Sequence, residues 1–145
     1  MQDFNPKEYL KQIEYINDDI NSRLREKSEL KRAMAVRTSA ITDVKVQESR
    51  AGRYDDKYMR YFEVAESIDE RIDELVELKM KISNEIDLID DPLYRLILRN
   101  RYINLLTFED IASMLNKSIR YIYQVHGDAL VDFKEKIEDT VITSL

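Results

Sequence analysis

The sequence predicts an all-α protein, in which a long N-terminal helical hairpin or coiled coil precedes a C-terminal helix-turn-helix domain. The 145 residues include only two Gly and two Pro, so few positions interrupt a helix. Charged residues make up 36% of the chain and hydrophobic residues 43%, a balance that is typical of amphipathic helices. Heptad-like spacing of apolar residues in the middle of the chain also favours paired helices.

The first predicted helix begins at Asn5-Pro6, because Asn is a good N-cap residue and Pro suits the first helical position. Apolar residues then recur at helical spacing along one side: Tyr9, Ile13, Ile16, Ile20, Leu24, Leu30 and Met34. This period is lost over residues 37–56. Polar and small residues predict a connection there: Thr38, Ser39, Thr42, Ser49 and Gly52.

The second predicted helix runs from about Asp56 to Ile89. Its apolar residues follow one another in heptad-like steps: Tyr61, Ala65, Ile68, Ile72, Leu75, Ile82, Ile86 and Ile89. A helix of this length cannot bury such a stripe alone. The first helix in an antiparallel hairpin and a second copy of the chain are both available partners. We expect both contacts, and therefore a homodimer or higher oligomer that forms through the coiled coil.

A third helix begins at Asp91-Pro92, where Asp91 is the N-cap. Arg95, Arg99 and Arg101 follow on one side, where they serve either phosphate contacts or solubility. The predicted organisation is therefore a hairpin over 1–90, a helix-turn-helix domain over 91–137 and a tail over 138–145.

The helix-turn-helix is predicted from two short helices with their own caps. Thr107 caps the first, Asn116 tolerates the left-handed conformation that ends it, and Ser118 caps the second. The first helix has an apolar face: Phe108, Ile111, Ala112 and Leu115. Two capped helices joined by about three residues are typical of this motif, and its second helix enters the DNA major groove.

The expected DNA contacts follow from this geometry. The residues that face base edges are Ile119, Arg120, Tyr121, Tyr123 and Gln124. Around them, Thr107, Lys117 and Ser118 lie at helix starts and in the turn, close to phosphates. Arg120 can donate two hydrogen bonds to a guanine, and Gln124 can pair with an adenine. The alternative is a small helical bundle whose polar face is only solvated.

Charge is unevenly distributed along the chain. The whole chain carries −6, whereas residues 92–137 contain seven Lys or Arg and five Asp or Glu and so carry +2. Nonspecific DNA affinity grows with the number of phosphates neutralised, so one such domain should bind poorly at physiological salt. Dimerisation or recruitment by polymerase is then needed.

About forty residues, roughly 92–131, resemble region 4 of bacterial sigma factors. The matching segments are Arg101-Tyr102, Thr107 to Ala112, Ser118 to Val125 and Ala129-Leu130. Region 4 binds the promoter −35 element and RNA polymerase, and its base-contacting positions correspond to Ile119, Arg120, Tyr121, Tyr123 and Gln124. This chain has Asn116 where the family usually has a turn glycine.

The whole chain is similar to small phage and prophage regulators of late genes or autolysins, which join a helical segment to a region 4-like tail. Three segments carry this similarity: Asn5 to Leu10, Val46 to Ser49 and Asp91 to Arg95. The resemblance implies a transcription regulator that binds double-stranded DNA and host RNA polymerase in the bacterial cytoplasm. The chain has no segment resembling sigma region 2, so it should act as an accessory factor.

No catalytic constellation, cofactor motif or metal site is predicted. The chain has one His and no Cys, and His126 is expected to be a surface or packing residue. No apolar run is long enough for a membrane span, and no signal peptide is recognised. Two other functions stay open: a small terminase-like protein for DNA packaging, and a structural coiled-coil adaptor.

Overall fold

The all-α class is confirmed by a computed structural model, which describes residues 3–42 and 51–143. These residues form α1 (Pro6–Thr42), α2 (Ala51–Ile86), α3 (Pro92–Leu98), a π-helix (Arg99–Ile103), α4 (Phe108–Leu115) and α5 (Ile119–Thr143). Within those two ranges there is no strand. Packing divides the chain into a large unit, Met1–Ile16 with Glu77–Leu145, and a hairpin unit, Asn17–Val76.

Helix α1 ends later and α2 begins earlier than predicted, whereas α2 ends at Ile86 and not at about Ile89. Residues 37–42 belong to α1 and residues 51–56 to α2, although both segments were assigned to the polar connection. The loss of the apolar period predicted an end to each helix, but residues with adequate helix propensity can continue a helix without that period. Residues 43–50, which include the Val46 to Ser49 segment, lie outside the described residues.

The hairpin unit contains the first five of the predicted heptad residues of α2. Ala65, Ile68 and Leu75 are buried. An ion pair joins its two helices, because Lys27 Nζ lies 2.8 Å from Asp69 Oδ1. Leu24, which the sequence places on the apolar stripe of α1, has 48% of its surface exposed. The buried stripe of this unit is therefore narrower than the apolar pattern predicts.

The large unit brings the start of α1 against the end of α2. The Asn5 side chain accepts hydrogen bonds from the backbone N–H groups of Lys7 and Glu8, which confirms it as the N-cap of α1. Tyr9 donates to a Glu85 carboxylate oxygen at 2.7 Å. Apolar residues of these segments are buried: Leu10, Ile13 and Ile16 of α1, Ile82 and Ile86 of α2, and Ile89 just after α2.

The junction between α2 and α3 is held by side chains that donate to or accept from the backbone. Asp91 caps α3 as predicted, since its side chain accepts from the Leu93 N–H at 2.8 Å. Arg95 donates to the Ile89 carbonyl at 2.6 Å, and Arg99 lies 3.1 Å from an Asp87 carboxylate oxygen. These two arginines therefore stabilise the junction, whereas the sequence predicted that they serve either phosphate contacts or solubility.

Two features of the C-terminal helices were not predicted. A π-helix follows α3, with the Asn104 N–H donating to the Arg99 carbonyl five residues earlier at 3.0 Å. Helix α5 continues through residues 138–143, which the sequence analysis assigned to a tail. Gly127 lies inside α5, and a Cβ atom there would meet nothing within 4 Å, so close packing does not explain this glycine.

Candidate nucleic-acid interface

A small apolar core fixes α4 and α5 relative to each other. Ile111 and Ala112 of α4 pack with Ile122 and Val125 of α5, and Ile97 of α3 completes the cluster. Half-buried side chains surround it: Leu93, Tyr94, Leu106, Phe108 and Leu115. Because one face of α5 is held in this core, the opposite face is presented to solvent in a defined orientation.

The turn between the two helices has the predicted caps. The Thr107 hydroxyl accepts from the Asp110 N–H at 3.1 Å, and the Ser118 hydroxyl accepts from the Tyr121 N–H at the same distance. Asn116 adopts the left-handed conformation with φ 54° and ψ 47°. The Lys117 N–H then donates to the Ala112 carbonyl at 2.9 Å, which closes the end of α4.

The outward face of α5 collects three of the predicted base-contacting residues. Arg120, Tyr123 and Gln124 are exposed and are spaced by three and four residues, so they lie together on one side of the helix. Ile122 and Val125 lie on the other side and are buried. A guanidinium, a phenol and an amide are thus presented side by side near the start of the helix.

The remaining predicted residues flank this face. Ile119 and Tyr121 have 41% and 38% of their surfaces exposed and lie at its two edges. Lys117 Nζ lies 5.6 Å from the centre of the Tyr121 ring, so the turn lysine and this tyrosine form one edge. Thr107 and Ser118 are exposed at the starts of α4 and α5.

An aromatic stack supports Tyr123 from behind. The Phe108 ring lies 4.7 Å from the Tyr123 ring, measured between centroids. The Arg101 guanidinium lies over the same Phe108 ring at 4.4 Å and also donates to the Leu106 carbonyl at 3.0 Å. Phe108 therefore connects the outward face of α5 to the π-helix, a link that the sequence did not reveal.

His126 is a buried packing residue in the same cluster. Its Nε2 lies 2.8 Å from the Tyr102 hydroxyl, and its ring contacts Phe108 with 4.8 Å between centroids. Burial, together with the positive charges of Lys7 and Arg101, lowers the pKa of His126 to about 4, so the ring is neutral near pH 7. His126 lies four residues after Ile122 and three before Ala129, both of which are buried, so helical spacing in the sequence could have predicted its burial.

Two cations of the C-terminal segment are neutralised by acidic residues that precede it. Lys134 Nζ lies 3.0 Å from an Asp3 carboxylate oxygen, and Lys136 Nζ lies 2.9 Å from one of Asp90. Lys136 also holds the pKa of Asp90 below its usual value. The net charge of +2 on residues 92–137 therefore overstates the positive potential that this segment offers to a ligand.

The fold defines the class of protein: an all-α chain in which two long helices precede shorter helices, the last two of which are joined by a tight turn. Residues 35–134 match the family described as a protein of unknown function (DUF1492), and the chain belongs to that family. No curated protein and no solved structure gives a significant match.

Among residues 3–42 and 51–143, no helix is long and apolar enough to span a membrane. In the same ranges no group of three or more His, Asp or Glu side chains is placed to hold a metal ion.

Proposed function

We propose that this protein is a phage DNA-binding transcription regulator whose helix-turn-helix acts in the manner of sigma region 4, at promoters and with host RNA polymerase. The observation that supports this most strongly is the joint exposure of Arg120, Tyr123 and Gln124 on the outward face of α5. The alternative, a helical bundle whose polar face is only solvated, does not require a guanidinium and an amide beside a tyrosine on one face. The proposed role requires no catalytic step.

Base recognition in this proposal comes from α5. Arg120 donates two parallel hydrogen bonds to a guanine, and Gln124, one turn later, pairs with an adenine. Tyr121 and Tyr123 supply ring contacts or hydrogen bonds to phosphates. At the start of α4, Thr107 and the neighbouring N–H groups attract a phosphate, and Lys117 adds a positive charge at the turn.

Self-association forms part of the proposal, because two helix-turn-helix domains that bind one operator together contact more phosphates than one domain of small net charge can. In the large unit, an apolar groove is lined by Met80 of α2, Leu88 just after α2 and Val141 of α5, whose surfaces are 59%, 44% and 54% exposed. Glu77 and Lys81 place both charge signs on the rim of this apolar groove, as a self-complementary contact requires. Light scattering should give a dimer or larger, and Met80→Glu should lower the mass.

The function is tested by capturing fragments of the source phage genome with the full chain at about 150 mM salt, with and without host RNA polymerase. The proposal predicts enrichment of one intergenic promoter segment, which polymerase increases. Enrichment at a packaging site would favour the terminase-like alternative. If no segment is enriched in either condition, the DNA-binding proposal is wrong and a structural adaptor becomes the better account.

A further inference from the structure

A basic cleft lies beside the helix-turn-helix within the large unit. It has a volume of about 200 Å³, and its charged walls are Lys7, Lys11 and Glu14 of α1 and Arg101 of the π-helix. Three cations and one carboxylate therefore face a single opening. We define these four residues as the basic cleft.

The basic cleft adjoins the predicted DNA-facing surface through a shared wall. Phe108 lines the cleft, and its ring also contacts Tyr123 with 4.7 Å between centroids. The Arg101 guanidinium lies 4.4 Å from the centre of that ring. One aromatic side chain thus separates a cleft cation from an exposed residue of α5.

Local stability does not account for the two lysines of the cleft. Lys7 occupies the first turn of α1, where the positive end of the helix dipole disfavours a cation. Lys11 has Glu8 as a neighbour, but the separation is 4.0 Å, and the two side chains are 42% and 69% exposed. Such a loose surface pair contributes little to folding, so the lysines stay available to an anion.

Arg101 is fixed in position and keeps further donors for a ligand. Its hydrogen bond to the Leu106 carbonyl uses one of the five N–H groups of the guanidinium. Lys7 and Arg101 also act together on buried His126, whose pKa both of them lower, so their positive fields overlap. Cations on two elements that converge beside an exposed helix face are a suitable arrangement for a phosphate backbone.

We propose that the basic cleft binds DNA backbone phosphates beside the groove that α5 enters, so that α1 is part of the DNA-binding surface. This inference rests on the proposed function and deepens it, because it adds sequence-independent contacts to the base contacts of α5. It also accounts for how a segment of low net charge could hold DNA. Glu14 opposes the phosphates and limits the affinity.

The test measures how the affinity of the full chain for a random-sequence duplex of about 30 base pairs falls between about 50 and 200 mM salt. The double variant Lys7→Gln/Lys11→Gln should bind more weakly, and the slope of log K against log salt should become shallower by about 1 to 2. Glu14→Gln should bind about twofold more tightly, because it removes a negative charge from the cleft. Arg25→Gln/Lys31→Gln, which removes two exposed cations of the hairpin unit, should keep the wild-type slope.

The outcomes separate the two proposals. If the wild-type chain binds the duplex but Lys7→Gln/Lys11→Gln keeps the slope and affinity of the wild type, the cleft inference is overturned and the proposed function stands. An equal loss in the control pair would also overturn it, since only overall charge would matter. If the wild-type chain does not bind the duplex even at the lowest salt, the cleft inference is overturned, and the proposed function is judged by the genomic capture alone.

Discussion

The large unit and the hairpin unit differ in the core that their buried side chains form. In the large unit, helices α3 to α5 share a core whose central residues, Ile97, Ile111 and Ile122, have no exposed surface. In the described part of the hairpin unit the buried side chains lie along one narrow stripe of α2, while Leu24 and Phe62 are 48% and 60% exposed. The large unit can therefore hold a binding surface rigidly, although both units also expose apolar side chains.

The largest expected effect is the loss of a core side chain in the large unit. Ile122→Ala should lower the free energy of unfolding by about 2 to 5 kcal/mol, because it leaves a cavity between α4 and α5. The matched change in the hairpin unit, Leu24→Ala, should cost less than about 1 kcal/mol, since half of that side chain already contacts water. Urea unfolding measures both. A cost for Leu24→Ala as large as that for Ile122→Ala would indicate that a second chain covers this face.

The next largest effect is a pH dependence of the unfolding free energy, which comes from His126 in the large unit. His126 has a pKa of about 4 in the folded chain and about 6.5 when unfolded, so between these values the unfolded chain binds more protons. The free energy of unfolding is therefore highest above about pH 6.5. It decreases by up to about 3 kcal/mol as the pH falls towards 4. Unfolding measured across this range for the wild-type chain and His126→Phe isolates the effect. Parallel curves for the two proteins would contradict it.

Gly127→Ala should give a smaller effect of opposite sign. A methyl group at this position meets no neighbour within 4 Å, and alanine favours a helix over glycine by about 1 kcal/mol. The unfolding free energy should therefore rise by about 0.5 to 1 kcal/mol. Thermal unfolding provides the measurement, and a lower midpoint would show that α5 is less regular here than described. If the variant is stabilised but binds DNA more weakly, the outward face of α5 approaches its ligand closely at this glycine.

Local features of the fold were predictable from the sequence, because each depends on a few neighbouring residues. The caps at Asn5, Asp91, Thr107 and Ser118 and the left-handed turn at Asn116 all follow from the chemistry of single side chains. The outward placement of the α5 residues followed from helical spacing around buried Ile122 and Val125.

Features that join distant segments were not predictable from the spacing. The buried contact between Tyr102 and His126 spans 24 residues, and the basic cleft joins Lys7 to Arg101. No local pattern relates such positions. The outer ends of the helices at 37–42 and 51–56 were missed because the apolar period that predicts a helix is absent there. Residues 138–143 were assigned to a tail because chain termini are often poorly ordered. The DNA contacts of the eight predicted site residues stay predictions.

The most direct test of the account compares DNA affinity after equivalent changes in the two units. Arg120→Ala/Gln124→Ala should weaken binding to the enriched genomic segment by at least about tenfold, because each base contact contributes about 1 to 3 kcal/mol. The control, Asn21→Ala/Arg25→Ala, removes an exposed amide and an exposed arginine at the same spacing in the hairpin unit, and it should leave the affinity unchanged. Wild-type affinity in the Arg120→Ala/Gln124→Ala variant would contradict the central claim that the outward face of α5 recognises DNA.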